Sequence, residues 1–214
     1  MKIIYQCLFL ILCLTGCSSK AEVAEEYRYW TYGFTSPAYF EMKTEYLQAS
    51  MPDGHILSLR TGWSVGGYRP DDGIGDELEP IGSMESQERY TELPDSMVVS
   101  WFSHAEKQFY AANIHFRPDI KKQMMTPYVS NCWDDNRTLY HNQILIGLAP
   151  GGYVKVWGKG GCGDKEILVG KFKGWKMVES ITGTKPYQLR EQTEEYHEKF
   201  ADILAKPIPY EKWQ

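Results

Sequence analysis

A glycine-rich segment, residues 144–163, is the first part of the chain whose composition could support chemistry. It reads ILIGLAPGGYVKVWGKGGCG and contains seven glycines around two apolar runs. A glycine-rich loop cradles a phosphate with its backbone N–H groups when a strand leads into the loop and a helix follows it. The same residues can instead form a tight turn between two strands, because glycine adopts positive φ without steric penalty.

The residues after the glycines decide between these two structures. Beyond Gly151 and Gly152 the chain continues as YVKVW, in which apolar and polar side chains alternate as they do in a strand. The segment has no Gly-Lys-Ser/Thr triplet and no Gly-x-Gly-x-x-Gly pattern that opens a helix. Pro150 fixes one dihedral angle and the two glycines supply positive φ. We therefore predict a hairpin here and no phosphate site.

The other residues of catalytic type do not form a recognised pattern. No HExxH or HxH spacing joins any of the histidines, and the chain has no Gly-x-Ser-x-Gly nucleophile elbow. The five histidines are His55, His104, His115, His141 and His197. We predict no catalytic residue, no metal site and no cofactor, and we expect that the protein is not an enzyme.

Residues 68–94 lack the periodicity of helices or strands and are rich in Pro, Gly, Asp and Glu. The acidic part of this segment, PDDGIGDELEP, does not have the residue order of an EF-hand calcium loop. We predict a long surface excursion here. It is either a solvated acidic loop or, since such excursions on a rigid scaffold often carry recognition, a partner-binding site. The residues assigned to this candidate binding site are Tyr68, Asp71, Asp72, Asp76 and Glu77.

The N-terminus has the proportions of a secretory signal peptide. Lys2 is followed by an apolar segment at residues 3–14, which is shorter than the roughly 20 residues needed to span a bilayer. This segment leads to Leu-Thr-Gly-Cys, which resembles a bacterial lipobox and predicts lipid attachment at Cys17. Ser18, by resemblance to sorted lipoproteins, favours the outer membrane with the domain in the periplasm.

These features divide the chain into three parts. We predict a signal peptide at residues 1–16, a lipidated tether at residues 17–26 and a single globular domain at residues 27–214. Removal of the signal peptide takes away one charged residue, Lys2, so the formal net charge changes from −5 to −6. A mildly acidic domain is a poor nucleic-acid binder, because the phosphate backbone requires a basic face.

Two cysteines remain in the mature domain, Cys132 and Cys162. An even pair in an oxidising compartment favours a disulfide, and no CxxC or nearby CxH pattern supports a metal site instead. We predict that the two are bonded. On the chain-entropy model, closing this loop would stabilise the fold by about 3–4 kcal/mol.

The elements that must position all of these residues are mostly strands. Alternating or β-branched runs recur along the chain, and the clearest amphipathic helix is near the C-terminus, at residues 186–206. Residues 118–125 begin with Pro and Asp and predict a short helix. We predict a β-rich α+β fold, mainly an antiparallel sheet or sandwich with a short middle helix and a C-terminal amphipathic helix. The other predicted strands cover residues 27–35, 39–49, 57–65, 96–102, 107–116, 139–149, 153–159 and 166–172.

Three segments of the chain stand out as motifs: WTYGFTSP at residues 30–37, MVVSWFSHAEKQFYAANIHF at residues 97–116 and ILIGLAPGGYVKVWGKG at residues 144–160. They resemble the motifs of a family of Gram-negative lipoproteins labelled as a domain of unknown function. With the lipobox, they stand in the family's order and cover most of the mature chain. The resemblance carries no catalytic residue over to this sequence.

The resemblance implies a function in protein recognition. Genes of such lipoproteins often lie beside genes for type VI secretion effectors, including phospholipases and peptidases, and some members look like the cognate immunity proteins. The first hypothesis is therefore a lipid-anchored periplasmic immunity protein that binds a secreted effector. The alternative is a structural or assembly lipoprotein of the outer membrane that has no toxin partner.

Overall fold

Strands dominate the part of the chain that the computed structural model describes. That part comprises residues 29–59, 61–67, 77–79, 84–90, 92–130, 137–161 and 166–214, with the backbone alone at 84–90. The strands are β1 (Trp30–Thr35), β2 (Met42–Ser50), β3 (Ile56–Ser58), β4 (Ser64–Val65), β5 (Met84–Tyr90), β6 (Ser96–Ser103), β7 (Gln108–His115), β8 (Tyr128–Val129), β9 (Thr138–Leu139), β10 (Gln143–Ala149), β11 (Tyr153–Lys159), β12 (Ile167–Lys173) and β13 (Trp175–Met177). The helices are α1 (Pro118–Met124), α2 (Arg190–Lys199) and α3 (Ala201–Leu204).

The longer strands form two sheets. The first sheet has the order β12-β11-β10-β1-β5, and the second has the order β13-β7-β6-β2-β3, with β4 also paired to β2. Neighbours are antiparallel except for β1 and β10, which run parallel. This architecture confirms the predicted β-rich α+β fold class.

The core lies between the two sheets. Alternate side chains of β1, namely Trp30, Tyr32 and Phe34, are buried, as period-two alternation requires of a strand with one face turned inward. Trp63, which precedes β4, stacks on Tyr32 with 6.0 Å between ring centroids. One apolar cluster contains members of both sheets, so a single core joins them.

The predicted hairpin at the glycine-rich segment is confirmed. Strands β10 and β11 pair antiparallel over all seven residues, from Gln143 opposite Lys159 to Ala149 opposite Tyr153. A 3₁₀ turn at Pro150–Gly152 connects the two strands. In this turn φ is +75° at Gly151 and +80° at Gly152, so the glycines serve the backbone as the sequence suggested.

The prediction of a continuous surface excursion at residues 68–94 is wrong in part. Strand β5 lies within this segment and pairs antiparallel with β1, while Leu78 and Leu93 are buried. The strand reads MESQERY and carries few apolar side chains. An edge strand can be this polar, because it has a partner on one side alone.

Two helical predictions meet different outcomes. The short middle helix is confirmed as α1, which begins at Pro118. The predicted helix at residues 186–206 is instead a 3₁₀ turn (Pro186–Leu189) followed by α2 and α3, because the backbone at Phe200 leaves the helical region with φ −120° and ψ +27°. Leu189 of this region still packs against Phe102 and Phe109 on the outer face of the second sheet, and Tyr196 and Phe200 are buried. One strand prediction also differs from the structure: two shorter strands, β3 and β4, replace the single strand predicted at residues 57–65.

Candidate functional site

Three connections meet at one end of the two sheets, which we call the glycine-turn end. They are the β10–β11 turn, the β6–β7 turn at residues 104–107 and the β1–β2 connection at residues 36–41. The Gly151 amide bonds to Glu106 of the β6–β7 turn, and the His104 amide bonds to the Glu41 carbonyl of the β1–β2 connection. Each connection contains or adjoins one of the three motifs on which the family resemblance rests. Those motifs therefore converge in space, although they are far apart in sequence.

The carboxylate of Glu106 joins four parts of this end. Its Oε1 accepts hydrogen bonds from the Tyr110 hydroxyl at 2.9 Å and from the Tyr210 hydroxyl at 3.0 Å. Its Oε2 accepts a bond from the Gly151 amide at 2.9 Å. Hydrogen bonds to an ionised acceptor are stronger than neutral ones. Glu106 thus fixes the glycine turn and the C-terminal tail to the β6–β7 turn.

The two tyrosines act as donors in this cluster over the whole neutral range. Burial, followed by the negative charge of Glu106, raises the pKa of Tyr210 to about 12. Burial, followed by the hydrogen bond to Glu106, raises the pKa of Tyr110 far above its ordinary value. Both hydroxyls therefore keep their protons, and both oxygens of Glu106 are engaged. This arrangement is suited to holding loops together.

A second polar cluster surrounds His104, which has no exposed surface. Its Nδ1 lies 3.0 Å from Thr193 Oγ1, and Thr193 donates its own hydroxyl proton to the Leu189 carbonyl at 2.7 Å. Because that hydroxyl proton is used, Nδ1 must carry the proton of the bond to Thr193. The Nε2 atom then faces Glu41, with 4.0 Å to Glu41 Oε1.

Further contacts tie the same helix to this end. His197 Nε2 lies 2.9 Å from the His104 carbonyl oxygen, to which it donates. The Tyr196 hydroxyl donates to the Tyr39 carbonyl at 2.7 Å. Helix α2 is therefore held to the β6–β7 turn and to the β1–β2 connection by buried polar contacts. Like Glu106, His104 performs a positioning role.

Burial shifts the pKa values of both His104 and Glu41. It lowers the pKa of His104 to about 4, and the positive charges of Lys43 and His197 act in the same direction. Burial also raises the pKa of Glu41, against the opposing effects of the Ser64 hydrogen bond and of Lys199 and Lys43. At neutral pH the imidazole is consequently neutral.

We expect His104 to make the fold sensitive to acid. Between pH 6.5 and pH 4 the unfolded chain binds a proton at this residue and the folded chain does not, so stability falls as the pH falls. Glu41 acts in the opposite direction because its proton binds more tightly in the folded state. For His104 alone the loss over this range should be about 3 kcal/mol.

The measurement is urea unfolding across that pH range for the wild type and for His104→Gln, whose amide can still donate to Thr193. The difference between the two slopes isolates His104 from the other histidines. An equal pH dependence in both proteins would contradict the assignment.

The structure describes one of the five candidate partner-binding residues. Glu77 is exposed, whereas Tyr68, Asp71, Asp72 and Asp76 lie outside the described residues. Beside Glu77, the buried Leu78 packs on the outer face of the first sheet. A Cβ on Gly147 would lie 2.9 Å from both Leu78 Cγ and Trp157 Cζ3. The acidic segment is thus anchored at its C-terminal end by a contact that requires glycine in β10.

The three cysteines with predicted roles, Cys17, Cys132 and Cys162, lie outside the described residues. Two described residues near the last pair do meet: the Tyr128 hydroxyl packs against Gly160 at the end of β11. This contact brings strand β8, which precedes Cys132, beside the end of strand β11, which precedes Cys162. The disulfide remains a prediction.

Two other kinds of site are absent from the part of the chain that the structure describes. Within it, no three His, Cys, Asp or Glu side chains converge to hold a metal ion. Nor is any helix there both long and apolar enough to cross a membrane.

Sequence reasoning had not identified the roles of Glu106, Tyr110, Tyr210 and His104. Outside its own hairpin, Glu106 bonds to Gly151 and Tyr210, which are 45 and 104 residues away in sequence. The His104 side chain bonds to Thr193, which is 89 residues away. No local spacing can therefore reveal them. The available signal was that Glu106 and His104 lie within a family-like motif, in a turn between two strongly apolar strands.

Comparison with known families gives one match. A family model described as "Protein of unknown function (DUF2931)" matches residues 18–211. No curated protein matches the chain, and neither does any solved structure.

Proposed function

The chain belongs to the DUF2931 family of proteins of unknown function, and from this premise we propose that it is a lipid-anchored periplasmic binding protein. Most specifically, we infer an immunity protein that neutralises a type VI secretion effector of the phospholipase or peptidase class. Neutralisation is by direct binding, which blocks either the active site of the effector or its contact with the membrane. The chemistry of the protein itself is recognition.

The observation that supports a binding function is that Glu106 and His104, an acid and a base of the glycine-turn end, are engaged in hydrogen bonds that hold the fold together. Both oxygens of Glu106 accept hydrogen bonds, and these bonds hold a turn and the C-terminal tail. His104 is buried and bonds to helix α2. Groups engaged in this way stabilise a rigid scaffold, and a rigid scaffold is what a recognition surface needs.

The anchored acidic segment supports the same proposal. Leu78 holds its C-terminal end on the first sheet, and the neighbouring Glu77 is exposed. A stable protein complex needs roughly 800 Å² of buried surface per partner. In this proposal the acidic residues of the segment, with Tyr68, contribute to that surface and contact a basic or metal-containing face of the effector.

Binding to the product of the adjacent gene tests the proposal. We expect the purified domain to form a complex with that product and to abolish its activity at equimolar concentration, as measured by titration calorimetry and an activity assay. Absence of binding would overturn the immunity function. The alternative, a structural or assembly lipoprotein, predicts a sensitive cell envelope in the deletion strain even when no secretion system is active.

The lipid anchor leads to a separate prediction. The substitution Cys17→Ser is expected to abolish incorporation of labelled palmitate and to move the protein from the membrane fraction to the soluble fraction. The reason is that the acyl chains attached to Cys17 hold the protein at the membrane, since each buried methylene contributes about 0.8 kcal/mol to membrane binding. The control is Cys132→Ser, which should still be labelled and sedimented. A Cys17→Ser protein that still incorporates palmitate would show that the lipid is attached elsewhere.

A further inference from the structure

The outer face of the first sheet carries a group of lysines on its last two strands. Lys155 of β11 lies directly opposite Lys171 of β12, and Tyr153 lies opposite Lys173. Lys171 and Lys173 are exposed, and Lys155 is half-buried. Side chains on the other face of β11, such as Val154 and Val156, point into the core. We call these three lysines, with Tyr153, the lysine face.

Like charges placed directly opposite one another across two strands are unfavourable. Among the described residues, no carboxylate side chain lies within 4.0 Å of any of the three ammonium groups. Lys155 donates instead to the Leu78 carbonyl at 3.5 Å, and Lys171 to the Gln214 carbonyl at 2.5 Å. The Nζ of Lys173 lies 3.2 Å from the centroid of the Tyr153 ring. These contacts hold the lysines in place without a carboxylate side chain beside them.

The lysine face contrasts with the rest of the chain. It places three lysines on one face of two neighbouring strands, although the whole chain has a formal net charge of −5. Segregation of one sign of charge on one face directs a partner of the opposite sign and speeds its association.

The shape of the face indicates what kind of acidic group it accepts. A cavity of about 320 Å³ lies beside the lysines, lined by Tyr153, Lys171, Phe172, Lys173, Trp213 and Gln214. Its aromatic residues are buried or half-buried. A lipid bilayer would require apolar side chains that protrude and insert, whereas here Tyr153 lies beneath Lys173 and Trp213 is buried. The exposed ammonium groups of Lys171 and Lys173 beside this open cavity are suited to acidic side chains that lie across it.

The spacing of the lysines separates a protein partner from a single phosphate. Lys171 and Lys173 are alternate residues of one strand, so their Cα atoms are about 6.6 Å apart. Lys155 lies across from Lys171 at about 5 Å. Such a row matches several carboxylates on an extended segment better than one tetrahedral anion.

We propose that the lysine face is a docking surface for an acidic segment of a partner protein, with its carboxylates seated on Lys155, Lys171 and Lys173. This inference rests on the proposed function in that the partner is taken to be a protein. The acidic segment forms a negatively charged binding surface, and the lysine face adds a second, positively charged one. A partner that uses both surfaces must present an acidic part beside a basic one.

The test uses a synthetic peptide of ten glutamates and measures its affinity by calorimetry at low and at high salt. The wild-type domain should bind the peptide with an affinity that falls as salt rises, and the double variant Lys171→Glu/Lys173→Glu should bind at least tenfold more weakly. That variant is expected to fold, because it removes the like-charge pair with Lys155. The double variant Lys122→Glu/Lys206→Glu makes the same change of net charge at other exposed sites, and its affinity should stay within twofold of wild type.

Three results would overturn the inference: no binding by the wild type, equal binding by the lysine-face variant, or equal losses in both double variants. Two further probes separate other ligands. If inorganic phosphate saturates the face while the peptide does not bind, the site is a small-anion site. If phosphatidylglycerol vesicles bind and the peptide does not, the face is a membrane surface. Peptide binding as predicted, with no complex formed by the adjacent gene product, would leave the lysine face standing and remove the immunity function.

Discussion

Replacing Gly152 with alanine is expected to lower the free energy of unfolding by about 3 kcal/mol. The φ angle at this residue is +80°, a region that costs an L-residue about 1 kcal/mol or more. A Cβ on Gly152 would also lie 2.8 Å from Tyr110 Cδ1 and 3.1 Å from the Gly174 carbonyl oxygen. Tyr110 cannot move aside at low cost, because it is buried and stacks on Trp101 with 5.6 Å between ring centroids. Steric overlap of this kind typically adds about 1–3 kcal/mol.

Gly183→Ala is the matched control for this prediction. Its φ is +85°, and an added Cβ would have no atom within 4 Å, so it should cost about 1 kcal/mol, from backbone strain alone. Urea unfolding of both variants and of the wild type measures the difference through the midpoint at an unchanged m-value. Equal destabilisation by the two substitutions would mean that the close approach to Tyr110 has no energetic consequence.

Replacing Glu106 with alanine is expected to destabilise the fold by a similar amount, about 3 kcal/mol. The change removes the acceptor of three hydrogen bonds, two from tyrosine hydroxyls and one from the Gly151 amide. A buried donor that loses its acceptor costs about 1–3 kcal/mol. Tyr110 should account for most of the loss, since Tyr210 is 37% exposed and can bond to water instead.

The matched control is Glu198→Ala, which removes an exposed glutamate from helix α2 and should change stability by less than about 0.5 kcal/mol. The measurements are urea unfolding and near-ultraviolet circular dichroism, which reports the packing of aromatic side chains, Tyr210 and Trp213 at the tail among them. If Glu106→Ala is no more destabilising than Glu198→Ala, the carboxylate does not hold the glycine-turn end together.

The parts of the fold that could be predicted are those whose signal is local. Strand β11 alternates apolar and polar residues, and the structure has it at Tyr153–Lys159, the residues that were predicted. The turn before it could be predicted because proline fixes φ at a negative value, whereas glycine permits positive φ. Helix α1 could be predicted because Pro118, a residue favoured at the first position of a helix, begins it.

The parts that could not be predicted depend on distant partners. Strand β5 has no apolar alternation, and it exists because β1 offers it an edge. The parallel pairing of β1 with β10 joins residues more than one hundred positions apart. Likewise, nothing in the vicinity of Glu106 reveals that Tyr210, 104 residues later, bonds to it.

The candidate binding site shows the same division. An acidic composition marked residues 71–77, but it could not show that the neighbouring Leu78 is packed over Gly147. The lysine face was also invisible in the sequence, since Lys155 and Lys171 become neighbours only through the register of β11 and β12. The pairing of strands in the sheet brings together lysines that are far apart in sequence.

Neutralisation of a secreted effector is tested most directly by competition between sibling cells. A strain that lacks this gene alone is expected to be poisoned by wild-type siblings whose type VI secretion is active. A strain that lacks both this gene and the adjacent effector gene is also sensitive to those siblings, but it should grow normally beside copies of itself, whereas the single-deletion strain should not. Normal growth of the single-deletion strain, with secretion active and the effector gene intact, would contradict the immunity function.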